Sequence, residues 1–158
     1  MYRRAAGKRS AHRATDDTLS TILVTGGAGF IGSALVRMIV RDTDHVVVNV
    51  DKLTYAGNLE SLPGIDEGSR YHFHRLDICD GAAIGELLAA AHPDAIVHLA
   101  AESHVDRSID GPADFVNTNV VGTFALLQQA LSYWRSAPAA ERDRFRFVHV
   151  STAGAERQ

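Results

Sequence analysis

The sequence predicts an α/β fold built on a doubly wound parallel sheet, with strand order 3-2-1-4-5. Three observations predict it. From residue 21 onward, short apolar strands alternate with helical patterns, as expected for strands joined by crossover helices. The first strand runs straight into Thr25-Gly26-Gly27-Ala28-Gly29-Phe30-Ile31-Gly32, a glycine-rich turn followed by an apolar helix start. The second strand ends on an acid, Asp51.

Each element follows from local pattern. Residues 21–25 form a short apolar strand, and the segment behind the glycine turn carries helical periodicity over 30–41. Residues 45–50 (His45-Val46-Val47-Val48-Asn49-Val50) are β-branched and nearly all apolar, as a strand buried on both faces should be. Gly57-Asn58 and Pro63-Gly64 mark loops around a short irregular turn at 58–62. A strand at 70–75, a helix at 81–91 closed by Pro93, a strand at 95–99, a helix over about 113–134 and a strand at 145–150 complete the series. Right-handed crossovers fix the strand order and put a ligand across the carboxyl ends of strands one and four. Only eight residues follow Val150, so the sheet is expected to be truncated after its fifth strand, with that edge and its apolar flank open.

The 158 residues suit one Rossmann-like domain at 21–152, between a basic, disordered extension at 1–20 and a divergent tail at 153–158. Residues 1–20 carry a net charge of +3 and the remainder −6. The basic head lacks aromatic interleaving and apolar periodicity, so neither nucleic acid nor membrane is expected as a partner. No apolar run reaches the roughly 18 residues a bilayer span needs. The single cysteine, Cys79, cannot form an internal disulfide, which fits a cytoplasmic location.

The glycine turn has a chemical purpose. Gly26 lets the chain turn sharply, Gly29 removes a side chain where a pyrophosphate must approach bare backbone N–H groups, and Gly32 lets the helix pack close to the sheet. Asp51 can accept both ribose hydroxyls of an adenosine. The alternative is a tight turn with a satisfied surface Asp. Asp77-Ile78 follows the third strand and can offer a carboxylate to the adenine amine and an apolar side chain to the ring; Asp77 can equally cap the helix at 81–91. Leu99-Ala100-Ala101 lets a cofactor lie close to backbone. Thr118 and Asn119 fall within the helix at about 113–134, where Asn119 can instead satisfy a neighbouring loop. A carboxylate at Asp51 repels a 2′-phosphate and the only nearby cation is Lys52, so NAD is favoured over NADP.

Two other constellations carry letters of known sites. His72 and His74 alternate on one strand near Cys79, but no further ligands show metal-site spacing, so no metal is expected. Ser103, His104 and Asp106 contain the letters of a hydrolytic triad, yet such close neighbours rarely reach relay geometry and no nucleophile elbow is present.

Three segments together resemble the nucleotide-sugar 4,6-dehydratases of the extended short-chain dehydrogenase/reductase family. They are Thr25 to Gly32, Asp51-Lys52-Leu53-Thr54-Tyr55-Ala56-Gly57-Asn58, and Glu102-Ser103-His104-Val105-Asp106-Arg107-Ser108 after Ala100-Ala101. Asn117-Thr118-Asn119-Val120-Val121-Gly122-Thr123 extends the likeness, which covers roughly residues 21–152. The resemblance implies NAD contacts at Phe30, Ile31, Asp51, Lys52, Leu53, Thr54, Asp77, Ile78, Leu99, Ala100, Ala101, Glu102, Ser103 and Thr118. It implies that Ser103 and Thr152 reach a dTDP-sugar substrate, and that such proteins are homodimers. It also implies a lyase reaction of nucleotide-sugar metabolism: hydride leaves C4 for NAD, water is eliminated across C5 and C6, and hydride returns at C6.

The chain departs from that family where the chemistry lies. Ser151-Thr152 is followed by Ala153-Gly154 where the family has Asp-Glu, and Glu156 lies too far along to replace either acid. Tyr2, Tyr55, Tyr71 and Tyr133 are followed four residues later by Ala6, Leu59, Arg75 and Ala137, so no Tyr-x-x-x-Lys exists. A positioned acid or base is worth roughly 10²–10⁴ in rate. The expectation is therefore the NAD-binding half of such an enzyme, a fragment without catalytic residues and without turnover. A non-catalytic nucleotide-binding module or partner subunit, or a fragment of a related epimerase or dehydratase, are the alternatives.

Overall fold

A computed structural model describes residues 19–55, 57–65, 68, 70–102 and 112–151. Five strands form one parallel sheet in the order β3-β2-β1-β4-β5, as the crossover rule predicts. They are β1 (Thr21–Thr25), β2 (Val46–Val50), β3 (Tyr71–His74), β4 (Ala95–His98) and β5 (Arg146–His149). Helix α1 (Phe30–Asp42) joins β1 to β2, and α2 (Gly81–Ala91) joins β3 to β4. The predicted strands are recovered to within one residue at each end, and the turn near residue 60 is a 3₁₀ turn, Leu59–Ser61.

Strand alternation sorts the core into two layers. Val24 and Val47 point to one face with Val36 and Ile39 of α1. Leu23, Val48, Val50 and Ile96 point to the other, against Ile84, Leu87 and Leu88 of α2 and Leu126 and Ala130 of the last long helix. Tyr71 and Phe73 join the α1 layer, which leaves His72 and His74 on the opposite face of an edge strand.

The long helix before β5 holds the main surprise. The pattern predicts a single helix over about 113–134. The structure instead runs from α3 (Pro112–Val116) through a π turn at Asn117–Gly122 into α4 (Thr123–Ser136), with helical dihedrals kept at both joints. Gly122 packs against the β3–α2 loop so closely that a Cβ there would lie 2.8 Å from Ile78 and 3.0 Å from Cys79 Sγ. The wider turn is where that close approach is accommodated. A further short helix, α5 (Ala139–Arg144), has no apolar periodicity to announce it, although Pro138 at its N-cap is a start signal. Asp80, and not Asp77, caps α2, accepting from Ala83 N–H at 3.1 Å. Asp77 sits one turn too early for that job and instead accepts the Cys79 N–H at 2.9 Å.

The β5 edge is open among the described residues, with Val148 48% and Val150 44% exposed. Residues 1–18 of the basic head, Ser103 to Asp110, and the tail from Thr152 onward lie outside the described residues.

Leu126 is fully buried between α2 and the sheet. Leu126→Ala is expected to cost about 2–5 kcal/mol, read as a lower urea midpoint with unchanged slope.

Candidate functional site: the carboxyl end of the sheet

The glycine turn is built by backbone meeting backbone. Gly26 has φ +73° and donates its N–H to Val50 O at 2.8 Å, tying the turn to the end of β2. A Cβ on Gly26 would come within 2.6 Å of Ala100 N, so the turn also lies hard against the chain leaving β4. At Gly32 a Cβ would strike the Gly26 carbonyl, which makes its partner the loop and not, as the sequence suggests, the sheet. A Cβ on Gly27, a position the sequence reading passes over, would strike the Asn49 side chain. Asn49 is fully buried and donates to Tyr71 Oη at 3.0 Å, while its Oδ1 has no hydrogen-bond partner among the described residues.

Gly29 differs from these three. A Cβ there would meet only Gly26 O, at 3.2 Å, so the space before it is open. It is the N-cap of α1, with no side chain to cap the helix and no acid in the first turn. The start of α1 therefore presents uncapped N–H groups and the positive end of the helix dipole to the crevice. Phe30 and Ile31 beside it are 93% and 58% exposed.

Asp51 braces this turn. One carboxylate oxygen accepts the Ala28 N–H at 3.0 Å and the other the Leu53 N–H at 2.8 Å. A carboxylate offers about four acceptor sites, so capacity remains for hydroxyl donors. Leu53 holds φ +55°, and Thr54 O accepts from Gly57 N at 3.0 Å, which closes the loop after β2.

Lys52 makes its contacts with other loops. Its Nζ donates to Thr118 Oγ1 at 2.9 Å and lies 3.7 Å from Asp77 Oδ2 and 3.9 Å from Glu102 Oε1. Tyr55 Oη donates to the other Glu102 oxygen at 3.0 Å. Asn119 grips the Glu102 backbone from both sides, accepting its N–H at 2.8 Å and donating to its carbonyl at 2.9 Å. The reading of Asn119 as a side chain satisfying a loop is the one seen here. The register adds a cation that sequence spacing hides: Asp51 N–H donates to His74 O, so exposed Arg75 lies next to Asp51 across the sheet. Lys52 is thus not the only cation nearby.

The sheet assembles most of the anticipated residues. Gly29, Asp51, Lys52, Leu53, Thr54, Asp77, Leu99, Ala100, Ala101 and Glu102 lie on loops at its carboxyl end, and Phe30 and Ile31 open α1 there. Ile78 and Thr118 are more deeply set, at 2% and 4% exposed, so they serve packing and the Lys52 contact here. Ser103 and Thr152 lie outside the described residues. No group of three or more His, Cys, Asp or Glu among the described residues is arranged to hold a metal. Burial, then the Asp77 carboxylate, pushes the Cys79 thiol above its ordinary range, away from a reactive thiolate.

A buried polar chain that the sequence does not announce supports the β4 loop. His98 is fully buried; Nδ1 lies 2.7 Å from Thr25 Oγ1 and Nε2 3.0 Å from Thr123 Oγ1. Thr25 Oγ1 in turn accepts the Ala100 N–H at 3.3 Å. The signal available in the sequence was only a histidine ending an apolar strand. Burial, and then neighbouring His149 stacked 4.8 Å away, lowers the His98 pKa from 6.5 to about 4.

These features define a Rossmann-like fold of the short-chain dehydrogenase/reductase kind, with a helix N-terminus aimed at the switch point of the sheet. The sequence pattern of the family described as GDP-mannose 4,6 dehydratase matches residues 23–155, and the chain belongs to that family. Among curated relatives, a dTDP-glucose 4,6-dehydratase of Escherichia coli is 61% identical over 131 residues, 83% of this chain and 36% of that protein. One of Neisseria meningitidis is 59% identical, again over 83% of this chain and 37% of its own length. The chain therefore spans a little over a third of the relatives it matches. A dTDP-glucose 4,6-dehydratase from Streptomyces venezuelae, solved with NAD and TYD bound, superimposes with a TM-score of 0.67 at 47% identity. That match covers 72% of this chain and 36% of the other. A UDP-glucose 4-epimerase of Thermotoga maritima, solved with UDP-glucose, gives 0.69 at 31% identity, over 85% and 38% of the two chains.

His98 makes stability depend on pH in a definite direction. The unfolded chain protonates it below about pH 6.5 and the folded protein resists until about pH 4, so stability falls as pH drops through that window. His98→Gln is expected to flatten this slope in urea titrations; equal slopes in parent and variant would remove His98 from the account.

Proposed function

We propose that residues 21–152 are the NAD-binding domain of a dTDP-glucose 4,6-dehydratase, and that these 158 residues bind the cofactor without turning over the sugar. The observation that carries this reading is the uncapped, acid-free start of α1 behind Gly29, facing a crevice that a single Cβ would begin to fill. A pyrophosphate fits there for electrostatic and steric reasons alike. Asp51 supplies acceptor sites for the adenosine ribose. The loops carrying Leu53-Thr54, Asp77 and Leu99 to Glu102 frame the adenine and the ribose, with Ile78 and Thr118 packed beneath them. Bound in a catalytically complete member of the family, NAD would supply the hydride acceptor.

The substrate part of the proposal rests on likeness to the curated dehydratases, and the family resemblance implies that Ser103 and Thr152 contact a dTDP-sugar. Turnover needs an acid pair after Thr152 and a Tyr-x-x-x-Lys, and this sequence contains neither. Among the described residues no helix is long and apolar enough to cross a membrane, and the lone Cys79 suits a reducing cytoplasm. Pairing of two copies is supported by an exposed apolar stripe along α3 to α4: Val116, Val120, Phe124, Leu127, Leu131 and Trp134. A second reading, a non-catalytic module that pairs its sheet with another chain, is favoured by the β5 edge, unpaired among the described residues, and by exposed Val148 and Val150.

Isothermal titration of the full chain with NAD is expected to give saturable binding, and dTDP-glucose with NAD is expected to give no 4-keto product. A folded preparation that ignores NAD would sink the proposal. Gly29→Asp separates function from folding: its backbone (φ −76°, ψ 176°) accepts Asp, whose cap on α1 should offset the tight 3.2 Å approach of its Cβ to Gly26 O, so Tm should change little. The same carboxylate should weaken NAD binding at least about tenfold by facing the pyrophosphate. Light scattering should give twice the monomer mass, falling to the monomer with Phe124→Glu; a dimer retained in that variant would point to the β5 edge.

A further inference from the structure

We propose that Asp77 and Glu102 determine cofactor choice by holding the Lys52 ammonium away from the ribose 2′ position beside Asp51. The inference rests on the NAD-binding reading above and names what makes the site select NAD over its 2′-phosphorylated form.

Lys52 follows Asp51 directly at the carboxyl end of β2, where a cation would meet a 2′-phosphate. A lysine on its flexible four-carbon stem could swing to such a phosphate. Here it is committed elsewhere. Thr118 Oγ1 accepts from Nζ at 2.9 Å, while the Asp77 and Glu102 carboxylates stand at 3.7 and 3.9 Å. At those lengths the hydroxyl is the hydrogen-bond partner and the carboxylates act as charges.

The protein's own bonds hold the cage. Asp77 is pinned by the Cys79 N–H, and Glu102 by Tyr55 Oη through its side chain and by Asn119 through its backbone. The Lys52 and Glu102 side chains are only 30% and 16% exposed, so solvent screens their attraction less than at an open surface. Recruiting Lys52 to a phosphate would leave two facing carboxylates without their cation. Selection against the phosphate thus has two parts: repulsion by Asp51 and withdrawal of the adjacent cation.

The test is the ratio of NADP to NAD affinity in the full chain, which cancels contacts that both cofactors share. Glu102→Gln and Asp77→Asn each remove one charge from the cage while keeping its size. Each is expected to raise the ratio about fivefold. Adding Lys52→Met to either variant should return the ratio to the parent value. A flat ratio in both single variants overturns the inference. So does a rise that survives Lys52→Met, since the responding cation would then be Arg75. Absence of NAD binding by the parent chain would sink the NAD-binding reading itself, and this inference with it; NAD binding with a flat ratio sinks this inference alone.

Discussion

At the mouth of the sheet, peptide backbone touches peptide backbone with no side chain between. Gly26 meets the chain leaving β4 at Ala100, and Gly32 meets the carbonyl of Gly26. These contacts draw the start of α1 into the gap between β1 and β4, where strand order reverses. Were α1 held further out by one Cβ, its N–H groups would face bulk water instead of a crevice. The geometry of the candidate site descends from that approach, and only glycine permits it.

The strand-end aspartates use one device twice. Asp51 after β2 and Asp77 after β3 each accept the N–H two residues on, turning the chain away from its strand. Each has a second oxygen left for a longer-range partner: Ala28 N–H for Asp51 and Lys52 Nζ for Asp77. The carboxylates that look like ligand contacts are therefore structural first. Acceptor capacity beyond the internal bonds is what remains for a ligand.

The helix from Pro112 to Ser136 serves three neighbours at once. Its π turn turns Thr118 and Asn119 toward Lys52 and the Glu102 loop. One face of α4 buries Leu126 and Ala130 against α2 and the sheet. Thr123 completes the hydrogen bonding of His98, which keeps that neutral imidazole dry. A histidine with a hydroxyl on either side gives the β4 loop a rigid floor without placing a charge beneath it.

The sequence by itself determined the parallel fold, its strand order, the glycine turn and the acid at the end of β2. These depend on periodicity and on local backbone freedom, which neighbouring residues encode. It also placed nearly every element boundary, because glycines, prolines and apolar runs punctuate this chain plainly. Tertiary structure alone decided that Lys52 joins Asp77, Glu102 and Thr118, and that Arg75 lies beside Asp51. It also decided that His98 is sealed between two threonines, and that the helix from Pro112 to Ser136 widens over Asn117–Gly122. Those outcomes depend on which loops meet across the sheet. Parallel strands bring together residues dozens of positions apart, and no local pattern records who the partner will be.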